Sequence, residues 1–133
     1  MKKIKFFLSF LVILTVQMSC YAPRRSLPQT TPLPVEVKAP SLTLRGEKYQ
    51  FIIQTSPLVT CHTGVAFWDT SNNWVFEEFP TIQANSLGVC EWNWEVPVQA
   101  LDGAAAFRGF VENENESTDL MPVTFCIEVE DCE

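Results

Sequence analysis

A chain of 133 residues has room for one ordinary domain, and its nine basic against sixteen acidic residues, a formal balance of −7, exclude a protein that captures nucleic-acid phosphate through a basic face. All sixteen acids lie beyond Cys20, whereas Lys2, Lys3 and Lys5 precede it. Removal of the N-terminal segment leaves six basic residues and a balance of −10, which also excludes adsorption to an anionic lipid surface and leaves an anchor as the route to a membrane.

Met1 to Lys5 carry the positive charges of an export signal, residues 6–16 are its apolar core, and the chain turns polar and proline-rich from Tyr21. This is the layout of a secretory signal peptide over residues 1–19. The apolar run is shorter than the roughly 20 residues of a membrane-spanning helix. At its end, Gln17-Met18-Ser19-Cys20 resembles the lipobox of bacterial lipoproteins, in which a small residue precedes the cysteine that is acylated and becomes the mature N-terminus. The resemblance implies lipidation at Cys20 and a lipid-anchored place in a bacterial cell envelope, on the outer face or in the periplasm. Several acyl chains, at about 0.8 kcal/mol per buried methylene, hold a protein on a bilayer where a single chain does not. The alternative is ordinary signal cleavage, with Cys20 discarded or paired.

Residues 20–40 carry Pro23, Pro28, Pro32, Pro34 and Pro40 and little that packs, so they read as a tether in front of a domain at 41–133. Leu33, Val35 and Val37 alternate with polar residues, and an edge strand over 34–38 is the alternative there. Strands follow at 41–44 and 48–54 around Gly46, with Tyr49, Phe51 and Ile53 on one face. Ser56-Pro57 breaks the second. A third, 61–68, sets Val65 and Phe67 against Gly64, Ala66 and Trp68, and ends in the turn-forming cluster at 69–73. The run 74–79 resumes the extended pattern as a hairpin partner until Pro80, and a short strand at 81–84 leads to the clearest element of the chain. Across residues 87–97, Cys90, Trp92, Trp94 and Val96 point one way and Glu91, Asn93 and Glu95 the other. Strands at 104–111 and 121–129 complete the list. Seven or eight short strands with turns about every ten residues, and no sustained helical periodicity, give an all-β, antiparallel β-sandwich.

With Cys20 assigned to lipid, Cys61, Cys90, Cys126 and Cys132 remain, an even number in an exported chain, which points to disulfides. Three pairings are open and the spacings choose none. A bridge closing a long loop adds about 3–4 kcal/mol. That matters in a domain of about 90 residues, which buries only a little over 60% of its unfolded surface.

Residues 87–111 bring a Gly, then Trp92-Asn-Trp-Glu-Val-Pro97, then Gly103 and an alternating strand. This pattern is similar to the immunoglobulin-like domains repeated along many bacterial surface and secreted proteins, in which an earlier cysteine, here Cys61, opens a facing strand. The resemblance covers roughly residues 41–129 and implies an immunoglobulin-like fold and a role as spacer or binding platform. It carries over no partner for Cys61, and function rests on a site.

No catalytic set stands out. His62 beside Cys61 is the one histidine, but neighbours on a strand face opposite sides, the wrong geometry for a thiolate and its base. The four cysteines lack the close paired spacing of zinc sites. Glu77, Glu78, Glu91 and Glu95 are acids of the kind glycoside hydrolysis requires in pairs, yet alternation alone makes them the solvated faces of strands. The acidic segment 112–119 offers oxygen ligands without the turn glycine of a calcium loop, and reads as a solvated hairpin loop. Asn115-Glu-Ser117 matches a glycosylation sequon only for a eukaryotic secretory route. Trp68 and Trp74, flanking the 69–73 turn, are a candidate platform for a glycan or partner protein; their other reading is as cover for the end of the sandwich.

Together these features describe a non-enzymatic, lipid-anchored envelope protein without cofactor or metal, displaying one immunoglobulin-like domain for interaction or structure. A carbohydrate-binding module using Trp68 and Trp74 and an inhibitor of an extracellular enzyme are the alternatives.

Overall fold

The computed structural model describes residues 31–132, so the signal segment, Cys20 and the start of the tether lie outside the described residues. Ten strands are formed among them: β1 (Glu36–Lys38), β2 (Leu42–Thr43), β3 (Lys48–Gln54), β4 (Thr60–Trp68), β5 (Trp74–Glu78), β6 (Ile82–Gln83), β7 (Val89–Glu95), β8 (Gly103–Glu112), β9 (Ser117–Asp119) and β10 (Val123–Ile127). The two most cleanly alternating runs, β3 and β7, pair antiparallel with Phe51 opposite Trp92 and Ile53 opposite Cys90. β1 flanks β3 and closes a three-stranded sheet, β1-β3-β7. The larger sheet runs β2-β10-β8-β4-β5, with β6 beside β4 and β9 beside β8. Pro80 and Pro122 each interrupt an outer strand, splitting β5 from β6 and β9 from β10, because proline cannot donate to the ladder.

The architecture is therefore the expected all-β, immunoglobulin-like sandwich. Every pairing is antiparallel except β2 with β10, which run parallel. Two short strands exceed the expected eight. β9 lies within the acidic segment read as loop, and β1 lies within the segment read as tether, where it is the edge strand given as the alternative over 34–38. There the alternation of Val35 and Val37 prevails over proline content: both pack on the core, and Leu33 is itself buried. Pro34 and Pro40 sit outside β1, where neither removes a ladder bond. The ordered sandwich thus takes in residues ahead of Ser41.

Between the sheets, Phe51 is fully buried and its ring meets those of Phe79, Trp94, Phe107 and Phe125 at centroid distances of 4.8–6.1 Å. Each such ring contributes about 1.5–3 kcal/mol of burial. Trp92 and Trp94 are both buried; Trp92 Nε1 donates to the Pro80 carbonyl at 2.8 Å, while Trp94 Nε1 has no partner among the described residues. The Cys61–Cys90 disulfide joins β4 to β7 and so staples one sheet to the other, as in immunoglobulin sandwiches. A second bridge, Cys126–Cys132, ties the C-terminal segment back to β10. Two such bridges belong to an oxidising compartment, extracellular or periplasmic. No helix among the described residues is long and apolar enough to cross a membrane.

The register also fixes the two ends of the sandwich. Glu36 lies opposite Gln54, Leu33 N–H donates to Thr118 Oγ1 at 3.1 Å, and Thr60 lies between Gln83 and Glu112. The chain therefore arrives at the end that holds Cys61, Cys90 and the acidic turn. Trp68 and Trp74 lie at the other.

Candidate binding face

The outer faces of the two sheets differ in chemistry. On the small sheet Gln50, Glu91, Asn93 and Glu95 are exposed, with Gln50 Nε2 donating to Glu91 Oε1 at 2.6 Å and Lys48 3.9 Å from Glu95. This is the solvated face that alternation predicts. On the large sheet, Val65, Phe67 and Val75 turn to the core, which sends Trp68, Trp74 and Phe76 outward. They are 45%, 47% and 49% exposed, and exposed aromatics in a cluster are the informative exception on a soluble surface.

The tryptophan pair is held by its turn. Trp68 and Trp74 are the last register partners of β4 and β5, with ring centroids 5.4 Å apart at 59°. Asp69 Oδ1 accepts from Ser71 N–H and Asn73 N–H, both at 2.9 Å, and Asn72 adopts a left-handed φ of 61°, a conformation asparagine tolerates. Thr70 N–H donates to Gln99 O at 2.8 Å, so the hairpin is braced against the loop after β7.

Further along the same face lies a groove of about 410 Å³, lined by Phe76 but by neither tryptophan. Gly64 lies opposite Glu78 on one side and Arg108 on the other. Phe76 lies over this glycine: a Cβ there would meet Phe76 Cζ at 2.7 Å, the close aromatic cover a strand glycine invites. Arg108, Phe110 and Asp119 form the far wall. His62 stacks on Phe110 with centroids 4.5 Å apart at 16°, its Nε2 is 2.8 Å from Glu112 Oε1, and its Nδ1 is 3.2 Å from Thr81 Oγ1. Glu78, Arg108 and Asp119 make no side-chain hydrogen bond or ion pair among the described residues.

The groups singled out from sequence are distributed as follows. Trp68 and Trp74 come together, whereas the pair Glu77 and Glu78 and the pair Glu91 and Glu95 lie on different sheets and do not converge. Cys61 is consumed by its bridge to Cys90, and His62 faces outward from it to Glu112. Cys20 lies outside the described residues. The acidic segment folds into a tight turn, in which Asn113 Oδ1 accepts from Asn115 N–H and Glu116 N–H, both at 2.9 Å. No cluster of three or more His, Cys, Asp or Glu among the described residues is placed to hold a metal ion. Phe76, Glu78, Arg108, Phe110 and Asp119 were not legible as one group. The available signal was Gly64, a glycine inside an apolar strand, which marks a place where something else approaches closely.

No family model matches this chain, and no curated protein matches it. Among solved structures it is similar to the CARDB domain of the PF1109 protein from Pyrococcus furiosus, crystallised in complex with di-metal ions. That similarity has 14% sequence identity and a TM-score of 0.44, covering 71% of this chain and 91% of the other.

Proposed function

We propose that this chain is a non-enzymatic, lipid-anchored protein of a bacterial cell envelope, and that its immunoglobulin-like domain is an interaction module whose contact surface is the Trp68–Trp74 tip and the adjoining face of the large sheet. One observation carries the reading: Trp68, Trp74 and Phe76 are about half exposed side by side, in a domain that buries its other two tryptophans. Tryptophan supplies a large rigid contact area at low entropy cost, so displaying two of them is costly unless they meet a partner. Their position agrees with display. The chain arrives at the opposite end, so a lipid at Cys20 leaves the tip facing away from the membrane.

The non-enzymatic part is supported by the chemistry of the one histidine and its neighbour: the thiol of Cys61 is spent in a disulfide, and His62 pairs with a carboxylate and a hydroxyl. The acidic balance supports partners other than nucleic acid. The test has two arms. Metabolic palmitate labelling and a shift in processing with globomycin check the anchor; failure of both removes it. In a C20A background, which removes the proposed lipid, double replacement W68A/W74A should leave the domain folded and abolish its retention on isolated envelope, and retention equal to that of C20A alone would overturn the contact surface.

A further inference from the structure

The groove at Gly64 has a more specific chemistry than the exposed tryptophans. Glu78 and Arg108 are both register partners of Gly64, so they stand two strand spacings apart, about 10 Å, across a floor made by the Phe76 ring. A volume of about 410 Å³ falls within the ~300–1,000 Å³ of small-molecule sites. Three exposed polar groups line the groove, none of them engaged by a protein partner among the described residues. The carboxylates of Glu78 and Asp119 accept, and the guanidinium of Arg108 donates.

We infer that this groove is a saccharide subsite for one ring of a neutral oligosaccharide, whose neighbouring rings stack along the same face on Trp68 and Trp74. This rests on the binding surface proposed above and names its ligand class. A sugar hydroxyl both donates and accepts, so vicinal hydroxyls satisfy a carboxylate and a guanidinium together. The C–H faces of a pyranose carry slight positive charge and pack on the negative face of an aromatic ring. Phe76, the Phe110–His62 stack and the tryptophan pair present such faces. The spacing is also appropriate: Gly64 and Trp68 are on the same outward row of β4, about 13 Å apart. Ala66, the outward residue between them, is fully buried.

Charge excludes an anionic polymer, because two carboxylates stand against one guanidinium on a strongly acidic domain. His62 adds no fixed partner for an anion, because Glu112 already faces its Nε2.

The full chain, purified in detergent, is titrated calorimetrically with cellotetraose, chitotetraose and mannotetraose, and with tetragalacturonate and a deacetylated chitosan tetramer as charged controls. At least one neutral tetramer should bind and tetragalacturonate should not. R108A and E78Q should each weaken that binding about tenfold or more, the effect of losing a charge-assisted hydrogen bond, with unchanged melting temperature, and W68A/W74A should weaken it further. No binding of any neutral tetramer at millimolar concentration overturns the inference, as does binding confined to a charged tetramer. Binding that is lost in W68A/W74A but indifferent to R108A and E78Q overturns the groove while leaving the tryptophan surface intact. If W68A/W74A in the C20A background keeps full retention on envelope, the surface itself fails.

Discussion

Removing the bridge between the sheets should cost more than removing the one at the C-terminus, by an amount that follows from their positions. Cys61 and Cys90 are 29 residues apart, and Cys126 and Cys132 are 6 apart. Restriction of the unfolded chain then contributes about 3.6 kcal/mol for the first and about 2.4 kcal/mol for the second. Packing widens the gap. Cys61 and Cys90 are fully buried, so C61A/C90A leaves a void worth roughly a further 1–2 kcal/mol, whereas Cys132 is half-buried at the chain end and C126A/C132A leaves little. The expected losses are about 5 and about 2.5 kcal/mol, against a total stability on the order of 5–15 kcal/mol for a domain of this size. Urea unfolding followed by tryptophan fluorescence measures both, since buried Trp92 and Trp94 report the core. Equal losses, or a larger loss for C126A/C132A, would refute the claim that the inter-sheet bridge is the main covalent support of the sandwich.

Other substitutions separate backbone and side-chain effects. G46A and G88A share a left-handed φ of 77°, but Gly46 faces open space while a Cβ at Gly88 strikes the Thr55 carbonyl; thermal melts should show about 1–2 kcal/mol lost for G46A and at least about 3 kcal/mol for G88A. W92F should destabilise more than W94F by about 1 kcal/mol in chemical denaturation, because only Trp92 donates a hydrogen bond, to Pro80 O. W68A/W74A should cost no more than about 1.5 kcal/mol by the same assay, the worth of an exposed aromatic pair, since neither ring supports the core.

The fold was legible wherever one face alone is apolar. Residues 48–54 are β3 to the residue, and the tryptophan strand differs from β7 only at its ends, because Phe51, Ile53, Cys90, Trp92 and Trp94 alternate with polar neighbours. Alternation failed as a guide to direction in β5, where Trp74, Val75 and Phe76 are all apolar. There the register set by the 69–73 turn, with Phe67 opposite Val75, decides that the smaller valine goes inward. β9 escaped, and β1 was legible only as the alternative edge strand over 34–38, because three-residue strands carry too little pattern to outweigh carboxylates or prolines. The disulfide pairing and the groove depend on strand order, which no local pattern contains: Gly64, Glu78 and Arg108 meet only because β4 lies between β5 and β8.

The central claim is that the outward tryptophans meet a ligand and the inward ones do not. The four indole N–H signals in a nitrogen-15 correlation spectrum of the full chain test it directly, two from Trp68 and Trp74 and two from Trp92 and Trp94. On titration with the neutral tetramer that binds in calorimetry, the Trp68 and Trp74 signals should move in a saturable way while those of Trp92 and Trp94 stay fixed. Saturable binding that leaves Trp68 and Trp74 unmoved, or that moves only the buried pair, would contradict the account.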